Sequence, residues 1–255
     1  MKPIRDLLTI VETALFKLYL IEKKYILISA LLRNEDHCCL PWEVETALTK
    51  ENRYAELVLF YQQQCRHREA LHLITNTKSL AFVDRVLDYL SKLDNNHLSL
   101  VFQYVQPIIK SAVQQQHNEE LLNEIIVLFV GESASSPTEQ TIIRFDPVAV
   151  SNFLKDLNVD FAIRHLQSVL SILRARSSAA QKFSDNSMNS IYWRQHQELT
   201  DQLNRLMQAK KMNHHHHHHV HPNGPQGIYF RKRFFLTLAE FATFNRRDIL
   251  SDKSV

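Results

Sequence analysis

Two places in this 255-residue chain gather side chains able to hold metals or move protons. His37, Cys38 and Cys39 are consecutive, and His214 to His219 form an unbroken run. Imidazole and thiolate are good zinc ligands. Three adjacent residues, however, cannot all turn toward one ion, and no second CxxC or HxxxH pair stands at ligand spacing. Packing is therefore the expected role of the two thiols, and a turn position that of His37. No metal site and no cofactor are assigned. The six histidines would take up nickel or zinc in solution through exposed imidazoles. Either a low-complexity insertion or an internally placed tag accounts for them, and neither carries a function.

Bond-making chemistry needs more than reactive groups. A nucleophile must sit beside a base, and a backbone cradle must meet the developing charge. The chain has no GxSxG elbow, no HExxH and no glycine-rich phosphate loop, and it holds only three glycines. No catalytic residue is assigned, and a non-enzymatic protein is expected. The remaining candidate is a basic and aromatic run, Phe230, Arg231, Lys232, Arg233, Phe234 and Phe235. Guanidinium groups can meet phosphates or carboxylates while the rings insert beside them. Phe230, Arg231, Arg233, Phe234 and Phe241 are thus the candidate partner-binding residues. A plainer reading stands beside this one. Phe230, Phe234, Leu238 and Phe241 share one helix face, which would pack on a preceding helix and leave the charges in water.

The composition limits what can position these groups. With 45% hydrophobic and 22% charged residues the chain can bury a core. Thirty basic against twenty-seven acidic residues leave +3, too little to hold a nucleic-acid backbone, so nucleic acid is not an expected partner. The cysteines, Cys38, Cys39 and Cys65, are odd in number with two adjacent, which argues for a reducing compartment. Asp6, Glu12 and Lys17 interrupt the first apolar stretch, so residues 1–30 read as neither a secretory signal nor a membrane span. A soluble, cytoplasmic protein is expected.

Apolar residues at i, i+3, i+4 and i+7 recur along the chain: Val11, Ala14, Leu15, Leu18; Tyr54, Leu57, Val58, Tyr61; Val83, Val86, Leu87, Leu90; Val101, Tyr104, Val105, Ile108; Leu122, Ile125, Ile126, Phe129; Val150, Phe153, Leu154, Leu157; and Leu166, Val169, Leu170, Leu173. Each set lays one stripe along a helix. Residues 53–74 hold two such halves around a polar break, with small Ala55 and Ala70 permitting close approach. The pattern predicts an all-α fold, an α-solenoid of antiparallel helical hairpins of the clathrin-repeat or TPR kind. Helices should start at Pro41 and at Asp146-Pro147, and Pro107 should kink or divide its helix. Loops are expected at 131–140, 176–190 and 212–227. The expected organisation is a solenoid segment at 1–110, its continuation at 111–210, a His-rich flexible insertion at 211–228, and a further helix at 229–255 where the solenoid is truncated.

Three blocks, ETALFKLYL at 12–20, LLRNEDHCCL at 31–40 and RYAELVLFYQQQCRHREALHLI at 53–74, resemble in order and spacing the central helical segment of the vacuolar protein sorting-associated protein 39 family. DPVAVSNFLKDLNVDFAIRHLQSVL at 146–170 is similar to its next segment, and RKRFFLTLAEFATFNRRDIL at 231–250 to a further helix after an insertion. The family is related to the TGF-beta receptor-associated protein, and LLRNEDHCCL favours the former. The resemblance implies a scaffold subunit of the HOPS complex, peripheral on late endosomal and lysosomal or vacuolar membranes. Other tethering subunits would be its partners, and a Rab-type small GTPase would bind through modules outside this chain. A CORVET-type early-endosome subunit is the alternative within the family, and a helical-repeat RNA-binding protein the alternative outside it. The family's N-terminal β-propeller and C-terminal zinc-binding module are not in this sequence, so a fragment or short product of the helical middle is expected. Where the family has a Gly at the hairpin turn this chain has Cys65, which implies a longer or differently capped turn.

Overall fold

Leucine, alanine, glutamate, lysine and glutamine fill the periodic segments, and these residues lose little freedom in a helix. The computed structural model describes the backbone of residues 1–76, 82–115, 118–131, 143–182 and 186–215, and the side chains of those ranges except 177–182, 186–190 and 214–215. Among the described residues there are eleven α-helices, one 3₁₀ turn at Asn95–His97 and no strand. The helices are α1 (Lys2–Ile21), α2 (Tyr25–Arg33), α3 (Pro41–Lys50), α4 (Tyr54–Gln63), α5 (His67–Asn76), α6 (Phe82–Leu90), α7 (Leu98–Gln114), α8 (Glu119–Val130), α9 (Pro147–Leu157), α10 (Val159–Lys182) and α11 (Asn186–His215). The chain divides into two compact units after Val86, inside α6.

Within each unit the helices pack in the same order. In the first, α1 pairs with α2 and α3 with α4, while α1 also packs on α3 and α2 on α4. In the second, α7 pairs with α8 and α9 with α10, while α7 packs on α9 and α8 on α10. First helices thus stack on first helices and second on second, which is the ladder of an α-solenoid. Next in each series, α5 packs on α4, and α11 packs on α9 and α10. The α10–α11 pair is antiparallel: Asp160 meets Lys210 at 2.5 Å near one end, and Arg174 Nε donates to His196 Nε2 at 3.1 Å further along.

One turn geometry recurs three times in the first unit. Lys23, Asn52 and Cys65 take left-handed backbone angles, φ 57°, 54° and 55°. The next residue then donates its amide to a carbonyl five residues back: Lys24 to Tyr19 at 2.9 Å, Arg53 to Leu48 at 2.9 Å and Arg66 to Tyr61 at 2.8 Å. This is the Schellman arrangement, which satisfies the last carbonyls of a helix and reverses the chain in three residues. The turn at Cys65 is therefore no longer than its neighbours and is capped in the same way. Cys65 itself adopts the conformation a glycine would take more cheaply.

Sequence expectations hold at several boundaries. Helix α3 begins at Pro41. Helix α9 begins at Pro147, with the Asp146 carboxylate accepting from the Val148 amide at 3.2 Å. Phe145 before that cap and Val150 in the next turn are both buried, the arrangement of a hydrophobic staple. Two expectations are corrected and a third is narrowed. Pro107 does not divide α7, which runs unbroken through it with Val105, Pro107, Ile108 and Ile109 all buried. The stretch expected as a loop at 176–190 is helical where it is described, through Lys182 and again from Asn186. There Ala179, Ala180, Gln181 and Lys182 outweigh the serines. In α1 the buried residues are Thr13 and Phe16, while Val11, Ala14 and Leu18 of the expected stripe are exposed. The second unit centres on aromatic side chains. Phe129 meets Phe145 and His165 edge-on, with ring centroids 6.1 and 6.2 Å apart, and Phe102 stacks on Phe153 at 4.1 Å.

Candidate functional site

The His37-Cys38-Cys39 segment lies between α2 and α3 and is pinned to α1. The Cys38 amide donates to the Glu12 carboxylate, and the Leu40 amide donates to Thr13 Oγ1 at 3.0 Å. Cys39 is buried; desolvation first, then the Glu12 carboxylate, push its thiol up to about 11. A thiol held protonated is a poor nucleophile and a poor ligand. His37 occupies a turn, its amide donating to the Asn34 carbonyl at 3.2 Å, and burial holds its imidazole below the usual range against the opposing pull of Glu12. Among the described residues no group of three or more His, Cys, Asp or Glu is placed to hold a metal ion.

The basic residues that follow the left-handed turns act as clamps between helices. Arg66 donates from Nη1 to Glu45 Oε2 at 2.9 Å, lies over the Tyr61 ring at 4.7 Å, and reaches Glu69 from Nε at 3.3 Å. The Tyr61 hydroxyl donates to Glu45 Oε1 at 2.7 Å. One carboxylate from α3 thereby ties α4 to the start of α5. The Arg66 bond, then the Tyr61 bond, hold the Glu45 carboxyl below its ordinary value; burial, then Glu45, push the Tyr61 phenol up to about 12. Arg53 repeats the device one turn earlier, its guanidinium 3.5 Å above the Tyr25 ring and paired with the buried Glu56. These groups brace the ladder, with Arg53 Nε left buried without a hydrogen-bond partner.

In the second unit a cleft of about 520 Å³ opens between the start of α9 and the flanks of α10 and α11. Phe145, Asp146, Arg176, Tyr192, Glu198 and Leu199 line it. Asp146 is occupied in capping α9. Nearby, Arg144 donates to the Ser91 carbonyl. Arg176 differs, because its Nη2 is buried without a hydrogen-bond partner and burial lowers its pKa. A guanidinium nitrogen in that state can receive a carboxylate or a carbonyl. The walls are half apolar and hold no nucleophile set beside a base, so the cleft suits a peptide side chain better than a reacting group.

Phe230, Arg231, Arg233, Phe234 and Phe241 lie outside the described residues, as does the histidine run beyond His215. The Glu45–Tyr61–Arg66 clamp was not found from the sequence, because it joins residues of two helices and of the turn before α5 and leaves no local spacing. Arg176 carried a signal: one more step along Leu166, Val169, Leu170 and Leu173 lands on it.

Comparison with known proteins places the first part of the chain. Residues 11–109 match the family model "Vacuolar sorting protein 39 domain 1". The chain is 34% identical over 110 residues to the vacuolar protein sorting-associated protein 39 homolog of Drosophila melanogaster, a match covering 41% of this chain and 12% of that protein. It is 32% identical over 105 residues to the Vam6/Vps39-like protein of Homo sapiens, covering 39% of this chain and 12% of that protein. To the vacuolar morphogenesis protein 6 of Saccharomyces cerevisiae it is 25% identical over 187 residues, covering 67% of this chain and 17% of that protein. The matched region is thus a small part of each relative's length. No solved structure matches.

Proposed function

We propose, from the match of residues 11–109, that the chain is a vacuolar sorting protein 39 family member and a non-catalytic scaffold subunit of a HOPS-type membrane-tethering complex. The observation that carries this reading is the coincidence of that match with the stacked ladder of α1 to α4. In a ladder each helical hairpin buries its apolar stripe on the hairpins before and after it. Such a stack has no floor on which to assemble a reaction centre, but it presents successive helix faces at fixed spacing. Its work is to hold bound proteins at set distances. Clamps such as Glu45–Arg66 tie neighbouring helices of the stack together.

In this reading the partners are other tethering subunits, with a Rab-type small GTPase engaged through modules outside this chain. The site of action is the cytoplasmic face of late endosomes and of the lysosome or vacuole, as a peripheral protein. Among the described residues no helix is long and apolar enough to cross a membrane.

The test is affinity capture of the whole chain from cell extract, treated with nuclease, followed by identification of the bound proteins. Recovery of late-endosomal tethering subunits, unaffected by nuclease, is the expected result. Recovery of an early-endosomal set instead would move the chain to a CORVET-type complex. Capture of RNA-dependent partners alone, or of no tethering subunit, would overturn the proposal.

A further inference from the structure

The cleft that holds Arg176 does not end at the start of α9. A second cleft of about 290 Å³ lies beside it between α9 and α11, lined by Asn152, Lys155, Gln202, Arg205 and Leu206. Val148 and Glu198 are walls of both, so the two form one groove. The Gln202 side-chain amide donates to Asn152 Oδ1 at 3.4 Å and joins the two helices across it. Every wall residue falls between Asn95 and Leu206, inside the second unit. The charges in these walls do not balance. Arg144, Lys155, Arg176 and Arg205 stand against Asp146 and Glu198. Arg144 is held by the Ser91 carbonyl, and Asp146 is engaged in capping α9. Among the described residues no carboxylate pairs with Lys155, Arg176 or Arg205, and Arg176 Nη2 is buried without an acceptor. A donor left in that state costs free energy that an incoming acceptor recovers, and a carboxylate can accept from two guanidinium nitrogens at once.

We infer that this groove binds an extended acidic segment of a partner protein, one carboxylate meeting Arg176 and a second meeting Lys155 and Arg205. Helix geometry sets the length of that segment. Arg176 shares its cleft with Tyr192, and from Tyr192 to Arg205 along α11 is about 20 Å at a rise of about 1.5 Å per residue. An extended chain covers that distance in about six steps of 3.3 Å, and an even number of steps returns a side chain to the same face. Acidic residues at the first and seventh positions therefore reach both ends of the groove. The third and fifth residues share their face and meet the apolar walls of Phe145, Val148 and Leu199.

A phosphate-bearing surface fits these walls less well. Glu198 stands where the two clefts meet and repels a row of phosphates, whereas it can accept from a peptide amide. Apolar walls likewise favour a ligand that carries apolar side chains between its charges. The groove is independent of the tethering proposal: loss of peptide affinity would leave the captured subunits unchanged, and failure to capture them would leave the peptide affinity unchanged.

The test is binding of a fluorescently labelled, end-blocked heptapeptide, Glu-Ala-Leu-Ala-Leu-Ala-Glu, to the whole chain, read by anisotropy at low salt alongside far-UV circular dichroism. Saturable binding is expected, and a peptide with Gln in place of both Glu residues should not show it. Arg176→Gln should weaken binding by about tenfold or more, as loss of a charge-assisted pair in a half-buried site does. Lys155→Gln combined with Arg205→Gln, both exposed, should weaken it by about threefold. That second loss should vanish against a peptide with only one Glu, which Arg176 then holds. If Arg176→Gln loses helical signal, the exposed double variant carries the test through this comparison. No saturable binding up to millimolar peptide, equal binding of the Gln peptide, or variants that bind as the wild type does would overturn the inference. So would vesicles of equal parts phosphatidylcholine and phosphatidylserine that bind through Arg176 while the peptide does not.

Discussion

His165 offers the most direct test of how the second unit is held. It lies on α10 at 1% exposure, edge-on to Phe129, with Nδ1 buried and unpartnered. Burial alone lowers its pKa from 6.5 to about 4. The folded chain therefore refuses a proton that the unfolded chain accepts below pH 6.5. Stability from this group is at its full value above 6.5, falls as the pH drops through that value, and levels off below about 4. Between pH 7 and pH 5 the loss is about 2 kcal/mol, from about 1.36 kcal/mol for each of the roughly 1.5 pH units between the unfolded value of 6.5 and pH 5. His165→Leu removes both the titration and the orphan nitrogen. Urea unfolding followed by circular dichroism at the two pH values should show the wild type weakening by about 2 kcal/mol more than the variant. His37, also held low by burial, contributes equally to both proteins and cancels. Equal weakening of wild type and variant would refute the claim that a buried neutral imidazole sits in this core.

Two further outcomes concern the first unit. Cys65→Gly should raise stability by about 0.5–1 kcal/mol in urea unfolding, since a left-handed L-residue is strained there, while Cys65→Val should lower it by more than about 1 kcal/mol because a β-branched side chain fits that region worst. Glu45→Gln should cost about 1 kcal/mol or less at pH 7, the clamp being a third exposed and screened by water. That difference should fade as the pH falls below 4.5, since the folded Glu45 carboxyl is held low and its contribution is lost on protonation. A Glu45→Gln penalty that persists in acid would assign the effect to packing instead.

The stripes that were legible in the sequence are those with one apolar side. Val101, Tyr104, Val105 and Ile108 are all buried, as are Leu166, Val169, Leu170 and Leu173. Helix α1 was misread for a physical reason. Apolar residues occur on both of its sides, and periodicity counts them without saying which side a neighbour covers. The serine-rich stretch failed because composition was taken for a loop where helix formers prevailed. The three tight turns were invisible because lysine, asparagine and cysteine share no sequence mark; only the backbone angles unite them. Of the candidate site, the Asp146 cap was legible in the Asp-Pro pair. The Arg176 cleft was not, because it depends on α11 returning beside α10.

The scarcity of glycine has a direct cost in this fold. A catalytic loop needs backbone that leaves the helix and still packs, which is costly without glycine. Here three connections of the first unit are three-residue reversals that leave nothing to spare, and the longer one, from Asn34 to Leu40, is pinned to α1. Each left-handed Lys23, Asn52 or Cys65 costs on the order of 1 kcal/mol, a strain kept because the ladder it closes buries a stripe on each side. What a chain built in this way can offer another molecule is the face of a helix.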